Sequence, residues 1–148
     1  DRMVRLRQAK IDGVEVPDLA VDDPDGDAEV LVIGWGSTYG PINAAARRVR
    51  KLGHSVATAH LRNLNPMPAN LGEVLGAYRT VLCPEMNLGQ LAMLLRAEHL
   101  VDVKSYTKVA GLPFGAEELQ DVFLDYLTGK HPESATGSDT TAITGAQA

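Results

Sequence analysis

A chain of 148 residues that is 45% hydrophobic can bury about two thirds of its unfolded surface and support one core. Its net charge of -5, with Lys and Arg scattered rather than gathered into a run, excludes the basic footprint of a nucleic-acid binder. No stretch approaches the roughly 18 apolar residues of a spanning helix and no secretory signal order opens the chain, so no membrane partner and a cytoplasmic location are expected; the single cysteine, Cys83, excludes an internal disulfide and any cluster held by several thiolates of this chain.

Asp1 to Lys10 reads as a basic, partly apolar helix with no capping residue ahead of it, as expected of a start in mid-protein. Residues 12–27 hold two prolines, two glycines and six aspartates, a composition that favours an exposed connection, so residues 1–27 form an expected connecting helix and linker. Glu29 to Gly34 is a short β-branched run closed by glycine, the pattern of a first strand buried on both faces. Pro41 suits a helix start, and Ile42, Ala45, Ala46 and Val49 give that helix one apolar stripe. Arg47, Arg48, Arg50 and Lys51 gather at the end where the helix dipole favours cations and read as a solvated face; Gly53 closes the element.

Ser55 to Leu61 is the second expected strand, and the two prolines of residues 63–68 enforce an extended loop after it. Leu71, Val74, Leu75 and Tyr78 mark a short helix, and Thr80 to Pro84 a third strand stopped by proline. Leu88, Leu91, Ala92 and Leu95 give the next helix a broad apolar face, which implies burial on more than one side. Val101 to Thr107 alternates as a half-wet edge strand should, and Leu119, Val122, Phe123 and Tyr126 face inward on a last helix from about Gly115 to Leu127. Residues 130–148, rich in Ser, Thr, Ala and Gly without periodicity, read as a disordered tail. Strands separated by helices across residues 28–129 predict a three-layer α/β/α sandwich with a mainly parallel sheet and right-handed crossovers. Strand order 2-1-3-4 places the two most apolar strands centrally.

Two loops can carry chemistry. Gly34 to Gly40 joins the first strand to its helix, where an α/β sheet offers backbone N–H groups to an anion. Its G-x-G-x-x-x-G spacing is one residue longer than the dinucleotide fingerprint, and the second strand ends in His60-Leu61-Arg62 instead of an acidic ribose partner, so a NAD site is not expected. A lysine-bearing phosphate loop is also missing, because Asn43 and Ala44 stand where Gly-Lys-Ser or Gly-Lys-Thr would be needed. Trp35, Gly36, Ser37 and Thr38 therefore form a candidate ligand or interface loop: Ser37 or Thr38 satisfies amides near the helix start, and Trp35 is either a packing anchor or an interface residue.

The turn after the third strand, Cys83-Pro84-Glu85-Met86-Asn87-Leu88-Gly89-Gln90, contributes Glu85, Asn87 and Gln90 to the same expected edge. Cys83 reads as a core residue, and Glu85 as a helix-start or interface acceptor in preference to a general acid or base. The four histidines, His54, His60, His99 and His131, share no metal-ligand spacing, so no metal is expected on this chain.

Val32 to Pro41, Ala59 to Pro68 and Cys83 to Leu91, with Met3 to Lys10 and Lys108 to Phe114, resemble the final, transketolase-C-like domain of the alpha subunits of 2-oxoacid, in particular 2-oxoglutarate, ferredoxin oxidoreductases, as far as about Leu127. The resemblance implies a complete enzyme that uses thiamine diphosphate, Mg2+ and an iron–sulfur cluster to turn a 2-oxoacid and coenzyme A into an acyl-CoA, passing electrons to ferredoxin. It implies as partners the remaining alpha-subunit domains and a beta subunit. The thiamine-binding domains of that family are not in these residues, so no catalytic or cofactor-binding residue is assigned here. The alternative is a non-catalytic protein-interaction module of the same fold.

Overall fold

The computed structural model describes residues 2–130; positions 131–148, most of the expected tail, lie outside the described residues. In chain order the elements are α1 (Arg2–Asp12), β1 (Val21–Asp22), β2 (Val30–Trp35), a 3-10 turn (Gly36–Thr38), α2 (Tyr39–Lys51), β3 (Ala57–Leu61), α3 (Leu71–Gly76), β4 (Thr80–Glu85), α4 (Gln90–His99), β5 (Val103–Thr107) and α5 (Ala116–Leu127). The sheet order is β1-β3-β2-β4-β5. β3, β2, β4 and β5 run parallel, which is the expected order 2-1-3-4, with the apolar runs of β2 and β4 in the middle.

Burial follows the two faces of that sheet. Because successive strand residues point to opposite sides, Leu31 and Ile33 pack with Leu71 and Leu75 of α3 and Leu91 and Leu95 of α4, whereas Val30 and Val32 pack with Ile42, Ala45 and Val49 of α2 and Phe123 of α5. Each such Leu, Ile or Phe removed from water contributes ~1.5–3 kcal/mol, which is what holds the three layers together. β5 is the edge strand: only Val103 of it is buried, while Ser105 and Thr107 are exposed.

The segment read as an exposed linker is partly packed. Val21 and Asp22 form an antiparallel edge strand against Ala59 and Thr58 of β3, and Leu19 joins the core. The causes are distant in sequence. Asn70 donates its amide N–H to the Leu19 carbonyl at 3.0 Å and accepts the Leu19 N–H at 2.7 Å. Arg50 donates to the Asp22 carbonyl at 2.9 Å, to the Asp22 carboxylate at 2.8 Å and to the Val56 carbonyl at 2.7 Å. Arg50 thus leaves the solvated cationic face, on which Arg47, Arg48 and Lys51 stay exposed. Leu88 is also corrected: it is 85% exposed in the turn before α4 rather than on the buried helix face.

Candidate functional site: the carboxyl edge of the sheet

β2 and β4 are adjacent and parallel, so the turns that follow them open on the same edge. The first turn is tight because Gly34 has no side chain: a Cβ there would stand 2.4 Å from Ile42 Cδ1 and 2.6 Å from Thr38 Oγ1. Thr38 uses that space to turn back on Trp35, accepting its N–H at 3.2 Å and donating its hydroxyl to its carbonyl at 2.8 Å. The hydroxyl thus satisfies an amide at the helical start, the N–H of the residue that caps the 3-10 turn, and ties the strand end as well. Ser37 is exposed, and Trp35 is half-buried against the α3/α4 side of the core.

In the second turn Glu85 is fully buried. Its Oε1 accepts the Leu91 N–H at 2.8 Å and its Oε2 the Ala92 N–H at 3.0 Å, two of the donors that the first turn of α4 leaves without a helical partner. Asn87 Oδ1 accepts the N–H groups of Gly89 at 2.8 Å and Gln90 at 3.1 Å. Gly89, at φ +84°, takes a left-handed conformation that side-chain-bearing residues avoid, and this reverses the chain into α4.

The two turns meet. Trp35, Gly36, Ser37, Thr38, Met86 and Asn87 line one cleft of about 310 Å³. Of the residues singled out in sequence, Glu85 lies beneath this wall as a buried cap and Gln90 beside it as the exposed first residue of α4, so neither lines the cleft. Cys83 is buried in the core, and burial, with Glu85 nearby, pushes its thiol far above the usual range. A buried, neutral thiol is neither a nucleophile nor a ligand.

A larger cavity, of about 540 Å³, was not legible in sequence. It lies between residues 16–22, the start of α2 and the carboxyl end of β3, and is lined by Tyr39, Asn43, His60, Arg62 and Asn63 among others. The His60 ring meets Tyr39 edge-on, with centroids 5.0 Å apart. Burial, and then the charge of Arg62, hold the His60 pKa below its ordinary value. Asn43 donates to the Tyr39 carbonyl at 2.8 Å, which fixes one wall. The sequence signal was present in His60-Leu61-Arg62-Asn63, but its other wall is the segment read as linker.

Among the described residues no group of three or more His, Cys, Asp and Glu side chains is placed to hold a metal ion. With one buried cysteine as the only thiol, the donors of this chain do not fit an iron–sulfur cluster.

These features define a transketolase C-terminal-domain-like α/β/α domain. A split-gene transketolase shares the fold, with a TM-score of 0.56 at 17% identity over 80% of this chain and 45% of that one. No family model matches the chain. It is 62% identical over 133 residues, 90% of its length, to the 2-oxoglutarate oxidoreductase subunit KorA of Mycobacterium tuberculosis. It is 38% identical over 106 residues to subunit alpha of 2-oxoacid:ferredoxin oxidoreductase 1 of Aeropyrum pernix. The 2-oxoglutarate:ferredoxin oxidoreductase of Magnetococcus marinus, solved with 2-oxoglutarate, coenzyme A and succinyl-CoA bound, superposes with a TM-score of 0.72 at 31% identity, covering 84% of this chain and 23% of that one. The chain belongs, as one segment, to the alpha-subunit family of the 2-oxoacid:ferredoxin oxidoreductases; it spans 20% and 17% of the length of the two relatives it matches here.

Proposed function

We propose that this chain is the C-terminal domain of the alpha subunit of a thiamine diphosphate-dependent 2-oxoglutarate:ferredoxin oxidoreductase, with a structural and assembly role and no complete active site of its own. The complete enzyme would convert a 2-oxoacid, coenzyme A and oxidised ferredoxin into acyl-CoA, CO2 and reduced ferredoxin. Residues 28–129 are the domain and residues 1–27 its lead-in. Thiamine diphosphate, Mg2+ and the cluster belong to other segments of the alpha subunit or to a beta subunit. The observation that carries this reading is the 62% identity to one fifth of KorA. No helix among the described residues is long and apolar enough to cross a membrane, and a cytoplasmic location is part of the proposal.

The carboxyl edge supports a contact role over a chemical one. Its polar side chains serve the fold: Thr38 holds Trp35, Asn87 holds Gly89 and Gln90, and Glu85 holds α4. Beside the exposed polar Ser37 and Gln90, the loops that follow the parallel strands turn outward Leu88, Val109 and Leu112, each at least 70% exposed. Exposed apolar groups gathered on one edge mark a surface to be covered.

The test is the complete alpha subunit, co-produced with its beta subunit, carrying Leu88→Asp and Leu112→Asp. Both positions are exposed, so the domain itself keeps its fold. Loss of subunit co-elution, together with loss of coenzyme A-dependent reduction of ferredoxin by 2-oxoglutarate, is expected. Unchanged assembly and turnover would sink the contact role. A complete protein that assembles with no thiamine-bearing subunit would favour the interaction module.

A further inference from the structure

α4 is apolar on two sides, and the chain covers only one of them. Leu91, Ala92 and Leu95 face the sheet and are buried. Met93, Ala97 and Leu100 follow one another at the i, i+4, i+7 spacing of a second stripe on the outer side, with Leu94 beside it, and all four are exposed. Arg96 and Glu98 flank this stripe on either side, as the polar rim of a contact surface does. The second side of burial that the composition of the helix implies is therefore not supplied by the described residues of this chain.

Leu100 departs from local preference twice. It ends α4 at φ 54° and ψ 32°, the left-handed conformation that helix ends commonly give to glycine and that crowds the Cβ of any other residue against the following carbonyl. Among the described residues it alone, glycines apart, has a positive φ. Its side chain is also 91% exposed, so the strain is not offset by burial within the domain. Glycine would suit the isolated domain better here. A leucine that is unfavourable in both respects is accounted for by a contact outside the domain.

The place where the chain joins the sheet separates the candidate partners. Residues 1–27 lead in at the β1 edge, where Asn70 and Arg50 fasten them. α4 connects β4 to β5, at the other end of the sheet, and β5 is four strand spacings, ~19 Å, from β1. The rest of the alpha subunit is thus reached through one edge, and the outer stripe of α4 belongs to the opposite end.

We infer that the outer face of α4, from Met93 to Leu100, packs against an apolar helix of the beta subunit, with Leu100 as its anchor and the small Ala97 allowing close approach. This inference rests on the assembly role proposed above and extends it to a different surface, since the stripe shares no residue with the Leu88 and Leu112 contact.

The test uses the complete alpha subunit, alone and in complex with its beta subunit. Peroxide oxidation of Met93, which is 65% exposed in this domain, is read by mass spectrometry; it is expected in the alpha subunit alone and lost in the complex. Leu100→Gly is expected to act in two directions at once. It eases the backbone and raises the midpoint of thermal unfolding of the domain, and it weakens association with the beta subunit by about tenfold or more, as loss of a buried leucine should. Met93→Gln, on an exposed helical position that glutamine suits, is expected to weaken association as well. Met93 protected in the alpha subunit alone at every concentration would assign the stripe to another domain of that subunit. Protection that grows with alpha-subunit concentration would assign it to a second copy. Either result overturns the inference, as does association indifferent to both variants. If both variants associate normally while Leu88→Asp and Leu112→Asp do not, the assembly role stands and this inference alone fails; if no beta subunit associates at all, both fall.

Discussion

Replacing Glu85 tests whether a buried carboxylate holds the β4–α4 turn. Both of its oxygens accept backbone N–H groups, from Leu91 at 2.8 Å and Ala92 at 3.0 Å, and the side chain is out of contact with water. Hydrogen bonds to a charged group contribute ~1.5–3 kcal/mol each, and an anion at a helix start adds up to ~2 kcal/mol where it is shielded from solvent. In Glu85→Gln one oxygen becomes an amide nitrogen, which cannot accept, so one buried N–H loses its partner and the charge is gone. A loss of ~2–3 kcal/mol follows, and ~3–5 kcal/mol for Glu85→Ala, where both N–H groups are orphaned. Urea unfolding followed by Trp35 fluorescence and far-ultraviolet circular dichroism reads the difference. Amide exchange at Leu91 and Ala92 should accelerate in the Gln variant before the strand amides do. A Gln variant within ~0.5 kcal/mol of the parent protein would refute the assignment of Glu85 as the cap.

Gly34→Ala should cost ~2–4 kcal/mol in the same urea experiment, because its Cβ would overlap Ile42 and Thr38 and the Thr38 hydroxyl is committed to Trp35 on both sides; a cost below ~0.5 kcal/mol would mean that the turn can relax. Asn70→Ala should cost ~1–3 kcal/mol and speed amide exchange around Leu19 while β2 and β4 stay protected, since the two bonds to Leu19 fasten that segment together with Arg50 at Asp22. His60 titrates below its ordinary value in the folded chain, so the unfolded chain binds the proton first as pH falls. The stability it confers is therefore present above the unfolded value of 6.5 and is lost as pH falls through the folded one. His60→Gln should flatten the stability profile as pH falls below 6.5, and an unchanged slope would refute this.

The four parallel strands were legible because β2 and β4 are uninterrupted apolar runs, while β5 alternates and so had to be an edge. β1 was not, since Val21 and Asp22 sit among aspartates and owe their pairing to Asn70 and Arg50, 51 and 28 residues away from their contacts. Local composition carries no trace of such partners. Leu88 failed for the opposite reason: it fits the helical spacing with Leu91 and Leu95, but the left-handed turn at Gly89 ends that register before the helix begins. Glu85 was legible as a helix-start acceptor because a carboxylate just ahead of an apolar helical run has the dipole and the free amides to meet. For Thr38 the residue type was informative, and what it left open was which amide the hydroxyl would meet, that of Trp35 ahead of the 3-10 turn or one within α2.

The exposure of Leu88 becomes intelligible from how the turn around it is held. Its neighbours are fixed on one side by Asn87, whose carbonyl binds two backbone N–H groups, and on the other by the Glu85 cap on α4. The backbone entropy of the turn has been spent in folding, so covering Leu88 against a neighbouring surface costs only the side chain's own freedom, ~0.5–1 kcal/mol. Removing a leucine side chain from water returns ~1.5–3 kcal/mol. The balance favours contact by ~0.5–2.5 kcal/mol at this residue alone, whereas a mobile turn of the same composition would give much of that back in ordering. Buried polar groups that have no chemical task of their own thus make an apolar residue effective at an interface, and loosening the cap should weaken subunit association by more than the loss of Leu88 contact area can explain.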